Sequence, residues 1–194
     1  QRLRSAGVQL HFFGRFNHLD VGRWIKRDHR KLLLVDQELA FVGGINISDD
    51  YVEKQRGGKG WHDLHIRVEG PVCSSLARVF GRTWLRVSKQ SLPLPQVPSA
   101  AEDGDWAMAL CSTHSGIRMR IRSHLMHALR HAEEEVLLAT AYFVPDRGLL
   151  RELERAAKRG VEVRLLVPGE SDVQSVQAAG EHSYHRLLDA GVHI

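Results

Sequence analysis

Two cysteines, Cys73 and Cys111, are the only thiols in this 194-residue chain. A single pair builds neither a disulfide framework nor a thiolate zinc site, and idle or buried thiols suit a reducing compartment. Long apolar runs are also missing: none approaches the roughly 18 to 20 residues that a transmembrane helix needs. The chain opens on Gln1 rather than Met, and no signal-peptide pattern follows. It is therefore expected to be a fragment or a processed chain, with an anchor removed if there was one. Aromatics are scarce at 7%, and the apolar share of 43% fits an ordinary α/β protein. The charge excess is only +4, but arginine dominates the cations. Guanidinium forks match phosphate oxygens, so nucleic acid, anionic lipid and phosphorylated metabolites all stay open on charge alone.

What is present alternates in a readable way. Strands are expected at Val8–Phe13, Lys31–Val35, Leu39–Val42 and Leu64–Glu69, followed by a helix from Pro71 to Ser88. Residues Gln90–Asp105 hold three prolines and an acidic tail and read as a linker. Beyond it come a strand (Trp106–Leu110), a basic helix (Ile117–Ala132), a strand (Val136–Tyr142) and a helix (Arg147–Arg159). A strand (Val161–Val167), a helix (Val173–Ala190) and the start of another strand complete the order. Such alternation predicts a parallel sheet covered by helices in that half. Gly160 and Gly191 fall where helices should stop before strands. "AGV" occurs at Ala6–Val8 and again at Ala190–Val192, an offset of 184 residues from Gly7 to Gly191. Both copies sit in a helix–glycine–strand context, which predicts a domain-sized repeat.

The chemistry concentrates in "KRDHRKLLLVDQELAFVGGIN", Lys26 to Asn46. Side chains alternate along a strand, so His29 and Lys31 share one face while Arg30, Leu32 and Leu34 take the other. The run after them is apolar on both faces and predicts a central, buried strand with two cations at its mouth. Gly43 and Gly44 permit a tight bend, and Asn46 follows as an amide donor. An imidazole, an ammonium and an amide, without a carboxylate pair or a metal cluster, suit a phosphate. Histidine is able to attack phosphorus covalently while Lys and Asn hold the non-bridging oxygens.

His29-x-Lys31-x4-Asp36, followed by Gly43-Gly44-x-Asn46, resembles the HKD motif of the phospholipase D superfamily. The stretches "AFVGGINISDDY", "WHDLHIRVEGPV", "TAYFVPDRGLL", "AAKRGVEVRLLVPGESD" and "LLDAGVHI" are similar to bacterial cardiolipin synthases. The resemblance implies a phospholipase D-like α/β fold. Its mixed or parallel sheet would be flanked by helices, with two HKD domains related by a pseudo-twofold axis. Residues 1–89 would be the C-terminal part of the first domain, 90–105 the linker and 106–194 the N-terminal part of the second. It also implies metal- and cofactor-independent phosphatidyl transfer through a phosphohistidine. His29 would be one of two catalytic histidines, and Lys31 and Asn46 would be phosphate ligands beside Gly43 and Gly44. Asp63 is the candidate that orients the imidazole, and Asp36, though in the motif, reads as structural. Implied partners are anionic phospholipid (phosphatidylglycerol, with phosphatidylethanolamine as a possible co-substrate) and a peripheral place on the bacterial cytoplasmic membrane. No nucleic acid is expected. Only one HKD motif is present, so the second half is expected in cis beyond Ile194 or in trans. Two other readings stay open: a nuclease or other phosphodiesterase on the same scaffold, and a non-catalytic lipid-binding half-protein.

Three further features have blander alternatives. Trp61, His62 and His65 either line the pocket or belong to a half-buried strand. His127 and His131 have the i, i+4 spacing of a metal pair, with His124 one turn earlier, but no third ligand type accompanies them. Arg15, Arg23, Trp24, Lys26 and Arg27 would meet headgroups at the pocket mouth, and would suit a nucleic-acid backbone as well.

Overall fold

The computed structural model describes residues 2–13, 28–100, 103–111, 115–171 and 173–194; within 115–119 only the helical backbone is described. The basic segment from Arg15 to Arg27 lies outside the described residues. The chain divides into two compact units, Gln1–Ala109 and Leu110–Ile194.

In the first unit, α1 (Arg2–Ser5) precedes an antiparallel meander of β1 (Lys31–Val35), β2 (Leu39–Gly43) and β3 (His65–Glu69), in the spatial order β1-β2-β3. Asp36 and Gln37 make the β1–β2 corner with φ of 51° and 63°, and the Glu38 N–H closes it on the Val35 carbonyl at 3.1 Å. Paired positive φ values match the right-handed twist of the strands they join. Gly70 and Pro71 then lead into α2 (Val72–Ser88). Cys73 is fully buried where α2 meets the sheet, and its thiol donates to the Glu38 carbonyl at 3.2 Å. Burial pushes that thiol's pKa up, so it stays protonated and inert.

Even-numbered strand positions turn toward α2. Ala40, at 0% exposure, lies on the rung Leu34–Ala40–Val68, and Arg30 and Leu32 share a cavity of about 210 Å³ with Phe80, Thr83 and Trp84 of α2. Odd positions therefore face away from the helix. β1 was expected to be a central strand, but among the described residues β2 is central and β1 lies at the edge. The hairpin fixes β1 to one side of β2 only, and Leu33 is left 56% exposed.

The second unit runs α3 (Ser115–His131), β4 (Glu135–Ala139), α4 (Arg147–Lys158), β5 (Glu162–Leu166), α5 (Gln174–Glu181) and α6 (Tyr184–Asp189). β4 and β5 pair in parallel, and His193 bridges to Arg164 in the same sense, so the expected parallel strand begins there. Leu129, Leu153, Ala156, Val163, Leu165 and Leu187 pack one core between the helices and the strands.

Three sequence expectations are corrected. Val8–Phe13 and Trp106–Leu110 carry strand-like residues but form no ladder, because a strand exists only against a neighbour and none pairs with them among the described residues. The helix expected over Val173–Ala190 is two helices. Gly180 presses on the Phe143 carbonyl, where an added Cβ would stand 2.4 Å from the oxygen, and the chain bends just after it so that Leu187 reaches the core. The glycine stops do form: Val8 and Val192 each donate to the leucine five residues back, Leu3 and Leu187. Gly160 closes α4 in the same way, with Val161 bonding to Ala156.

Candidate functional site

The site is laid out by the register of the meander. Lys31 pairs with Gly43, and Gly43 with His65, so the three stand on one rung. Adjacent antiparallel residues project to the same side, and these odd positions share the face turned away from α2. Gly43 has no side chain between Lys31 and His65. An added Cβ would lie 2.2 Å from the Leu64 carbonyl oxygen and 2.9 Å from Nδ1 of His65, so the His65 ring occupies the space over the glycine. That Nδ1 is buried and accepts or donates no hydrogen bond among the described residues. The sequence flagged His65 only as a possible pocket residue; its rung is invisible until the register is known.

His29 lies two residues before the first residue of β1 and Asp63 two residues before the first of β3, so both segments enter the end of the sheet where Lys31, Gly43 and His65 pair. His29 is exposed, and the Lys31 ammonium donates to the His29 backbone carbonyl at 2.8 Å. Arg30 points the other way. Its guanidinium grips Asp28 through Nε at 2.7 Å and reaches Thr83 of α2. The bond from Arg30 is the main reason the Asp28 carboxyl titrates below its ordinary range. That carboxylate is thus neutralised on the α2 side, and the anion-attracting field of His29 and Lys31 remains on the open side.

Gly44 supplies the second close approach. An added Cβ there would stand 2.2 Å from either Asp63 oxygen, so the Asp63 carboxylate lies over the bare Cα. Asp63 accepts from its neighbour's Leu64 N–H at 2.7 Å, and Gly44 donates to the Leu64 carbonyl at 3.0 Å. The carboxylate is therefore held against Gly44, and no hydrogen bond joins it to His29 among the described residues. Asn46 is exposed, and its amide donates to the Tyr51 hydroxyl, which itself donates to the Gly44 carbonyl, both at 3.4 Å. Tyr51 belongs to a 3₁₀ turn, Asp49–Tyr51, capped by Ser48. This turn holds the glycine bend and Asn46 in one piece, a role that nothing in the motif announced.

The remaining candidates sort by position. Asp36 lies in the hairpin corner at the opposite end of β1 from His29 and is not brought to the site. Trp61 packs edge-on against Tyr51 with the Lys59 ammonium 5.1 Å from its ring centre, so it buttresses the 3₁₀ turn. His62 is exposed. His124 and His131 spend Nδ1 on carbonyls one turn back, and the described residues hold no group of three or more side chains able to bind a metal. Among the described residues no helix is long and apolar enough to cross a membrane.

Known proteins resemble this chain along its whole length. Residues 125–194 match the family model described as cardiolipin synthase, phospholipase D-like domain. Cardiolipin synthase A of Pseudomonas putida strain GB-1 is 32% identical over 198 residues, covering 100% of this chain and 41% of the relative. The enzyme of the same name from Pseudomonas fluorescens strain SBW25 is 34% identical, with the same coverage. That of Serratia proteamaculans is 34% identical over 99% of this chain and 41% of its own length. The resemblance to bacterial cardiolipin synthases within the phospholipase D superfamily is thus upheld, over a chain that spans about 41% of these relatives.

Proposed function

We propose that this chain, a relative of the bacterial cardiolipin synthases, is one HKD half of a phosphatidyltransferase acting on phosphatidylglycerol. The observation that carries the reading is the shared face. Lys31, Gly43 and His65 form one rung of it, and His29 and Asp63 lie in the segments that lead into that end of the sheet. A sheet end with the Lys31 ammonium, two imidazoles and a bare glycine floor fits a phosphodiester, which brings one negative charge and two non-bridging oxygens.

In this reading one ring nitrogen of His29 attacks phosphorus while Asp63 holds the N–H of the other. The P–O bond to glycerol breaks, and the departing oxygen takes its proton from a second histidine. Lys31 and Asn46 hold the non-bridging oxygens as charge builds on them. The second histidine then removes the hydroxyl proton of an incoming phosphatidylglycerol, whose oxygen attacks phosphorus. The P–N bond breaks, cardiolipin leaves and His29 is restored. No metal or cofactor enters the scheme. The second His-x-Lys pair comes from a continuation of the chain or from a second copy, in the pseudo-twofold arrangement of two domains. The working place is the bacterial cytoplasmic membrane surface.

The test pairs two substrates. With a second HKD half supplied, phosphatidylglycerol in detergent should yield cardiolipin and glycerol, and single-stranded DNA should stay intact. His29→Ala should lower turnover by at least about a thousandfold, the scale on which loss of a covalent nucleophile is felt. DNA cleavage without cardiolipin would replace the reading with a nuclease.

A further inference from the structure

α3 ends in two exposed histidines one turn apart, His127 and His131. Residues four apart on a helix stand one above the other on the same face. Here the two imidazole rings come to 4.1 Å between centres, with their planes tilted by 33°. Nδ1 of His131 lies 2.8 Å from the His127 backbone carbonyl. A carbonyl oxygen only accepts, so this Nδ1 carries the ring proton and Nε2 keeps its lone pair. Metal-bound imidazoles are held in the same way, one nitrogen donating to a fixed acceptor and the other coordinating.

The backbone beneath the pair is anchored. Met126 and Leu129, on the opposite side of the same turns, are buried. The Arg159 guanidinium closes the end of α3, donating to the Leu129 carbonyl at 2.9 Å and the Ala132 carbonyl at 3.2 Å. Arg130, the nearest cation in sequence, is spent on the buried Glu152 at 3.2 Å. His124 sits one turn earlier, with Nδ1 2.8 Å from the Arg120 carbonyl, and makes no group of three ligands with the pair. Two imidazoles holding one ion at about 2.1 Å set their ring centres about 4.5 to 5 Å apart, so the pair needs to open by less than about 1 Å.

We infer that His127 and His131 form a two-imidazole site for a late divalent transition-metal ion, with water in the remaining coordination positions. Imidazole nitrogen suits Cu(II), Ni(II) and Zn(II), with Cu(II) bound most tightly, whereas Mg(II) and Ca(II) need oxygen ligands that the pair does not offer. A bound ion ties the last two turns of α3 together. It takes no part in the chemistry at His29, and the site stands whether or not the chain transfers phosphatidyl groups. The test is calorimetric titration of the chain with Cu(II), Zn(II) or Mg(II) chloride in a non-coordinating buffer at neutral pH. Cu(II) should bind tightly at one ion per chain, Zn(II) more weakly and Mg(II) not at all. His127→Ala and His131→Ala should each weaken Cu(II) binding at least about tenfold, since loss of a ligand costs no less than loss of its supporting hydrogen bond. Electron paramagnetic resonance should show two imidazole nitrogens on Cu(II), falling to one in either variant. His124→Ala should bind as the wild type does, and circular dichroism checks that each variant is folded. Undiminished Cu(II) binding by folded His127→Ala or His131→Ala would overturn the inference. So would an equal loss in His124→Ala, or Mg(II) binding as tightly as Cu(II).

Discussion

Gln37 is the least comfortable residue of the first unit. It sits at φ 63° with its side-chain carbonyl buried and without a hydrogen-bond partner among the described residues. Left-handed backbone costs an ordinary L-residue about 1–2 kcal/mol, and glycine escapes that cost. Gln37→Gly should therefore raise stability by about 1 kcal/mol, visible as a higher urea midpoint with an unchanged slope. An unchanged or lower midpoint would show that the corner is not strained. The two glycines of the site should respond differently from each other. A methyl at Gly43 meets backbone, the Leu64 carbonyl, which cannot step aside without breaking the β2–β3 ladder. A methyl at Gly44 meets only the end of the Asp63 side chain. Gly43→Ala should lose about 1–3 kcal/mol of stability in the same urea measurement. Gly44→Ala should keep most of its stability and lose phosphatidyl transfer, through displacement of Asp63. Equal stability losses in the two variants would remove the distinction.

The elements show what local sequence could and could not say. β1, β2 and α2 lie where their sequences predicted them, to within a residue at each end, because alternation, the polar corner and Gly70-Pro71 all act locally. Val8–Phe13 and Trp106–Leu110 have equally apolar sequences but no paired strand among the described residues, and pairing is not a local property. The site divides along the same line. His29, Lys31 and the Gly43-Gly44-x-Asn46 run were legible as a phosphate constellation. The rung that adds His65, and the Tyr51 turn that steadies Asn46, depend on register and on a contact between strand end and loop. α4 offers the test at this scale. Asp146 caps it and is bound by Arg122, the first cause holding its carboxyl well below the ordinary value. A depressed folded-state pKa stabilises fully above the unfolded value, near 3.9, and is lost as pH falls below it. Asp146→Ala should cost about 1 kcal/mol at neutral pH, the usual loss for a cap. The gap between variant and wild type should narrow as urea melts are taken toward pH 2. A gap independent of pH would mean that the charge of Asp146 contributes nothing.

At the scale of the whole molecule, the first unit carries the Lys31–Gly43–His65 rung and the second a parallel pair of strands packed against helices. The chain covers about 41% of the cardiolipin synthases it resembles. The proposed phosphatidyl transfer needs a second His-x-Lys pair beside the single one in this sequence. The most direct measurement is product analysis by mass spectrometry after phosphatidylglycerol is incubated with the wild-type chain or His29→Ala, each with a second HKD half supplied. The account predicts cardiolipin and glycerol in equal amounts from the wild type, with an acid-labile phosphoryl adduct on His29, and neither product from the variant. Cardiolipin formed at an undiminished rate by His29→Ala would contradict it.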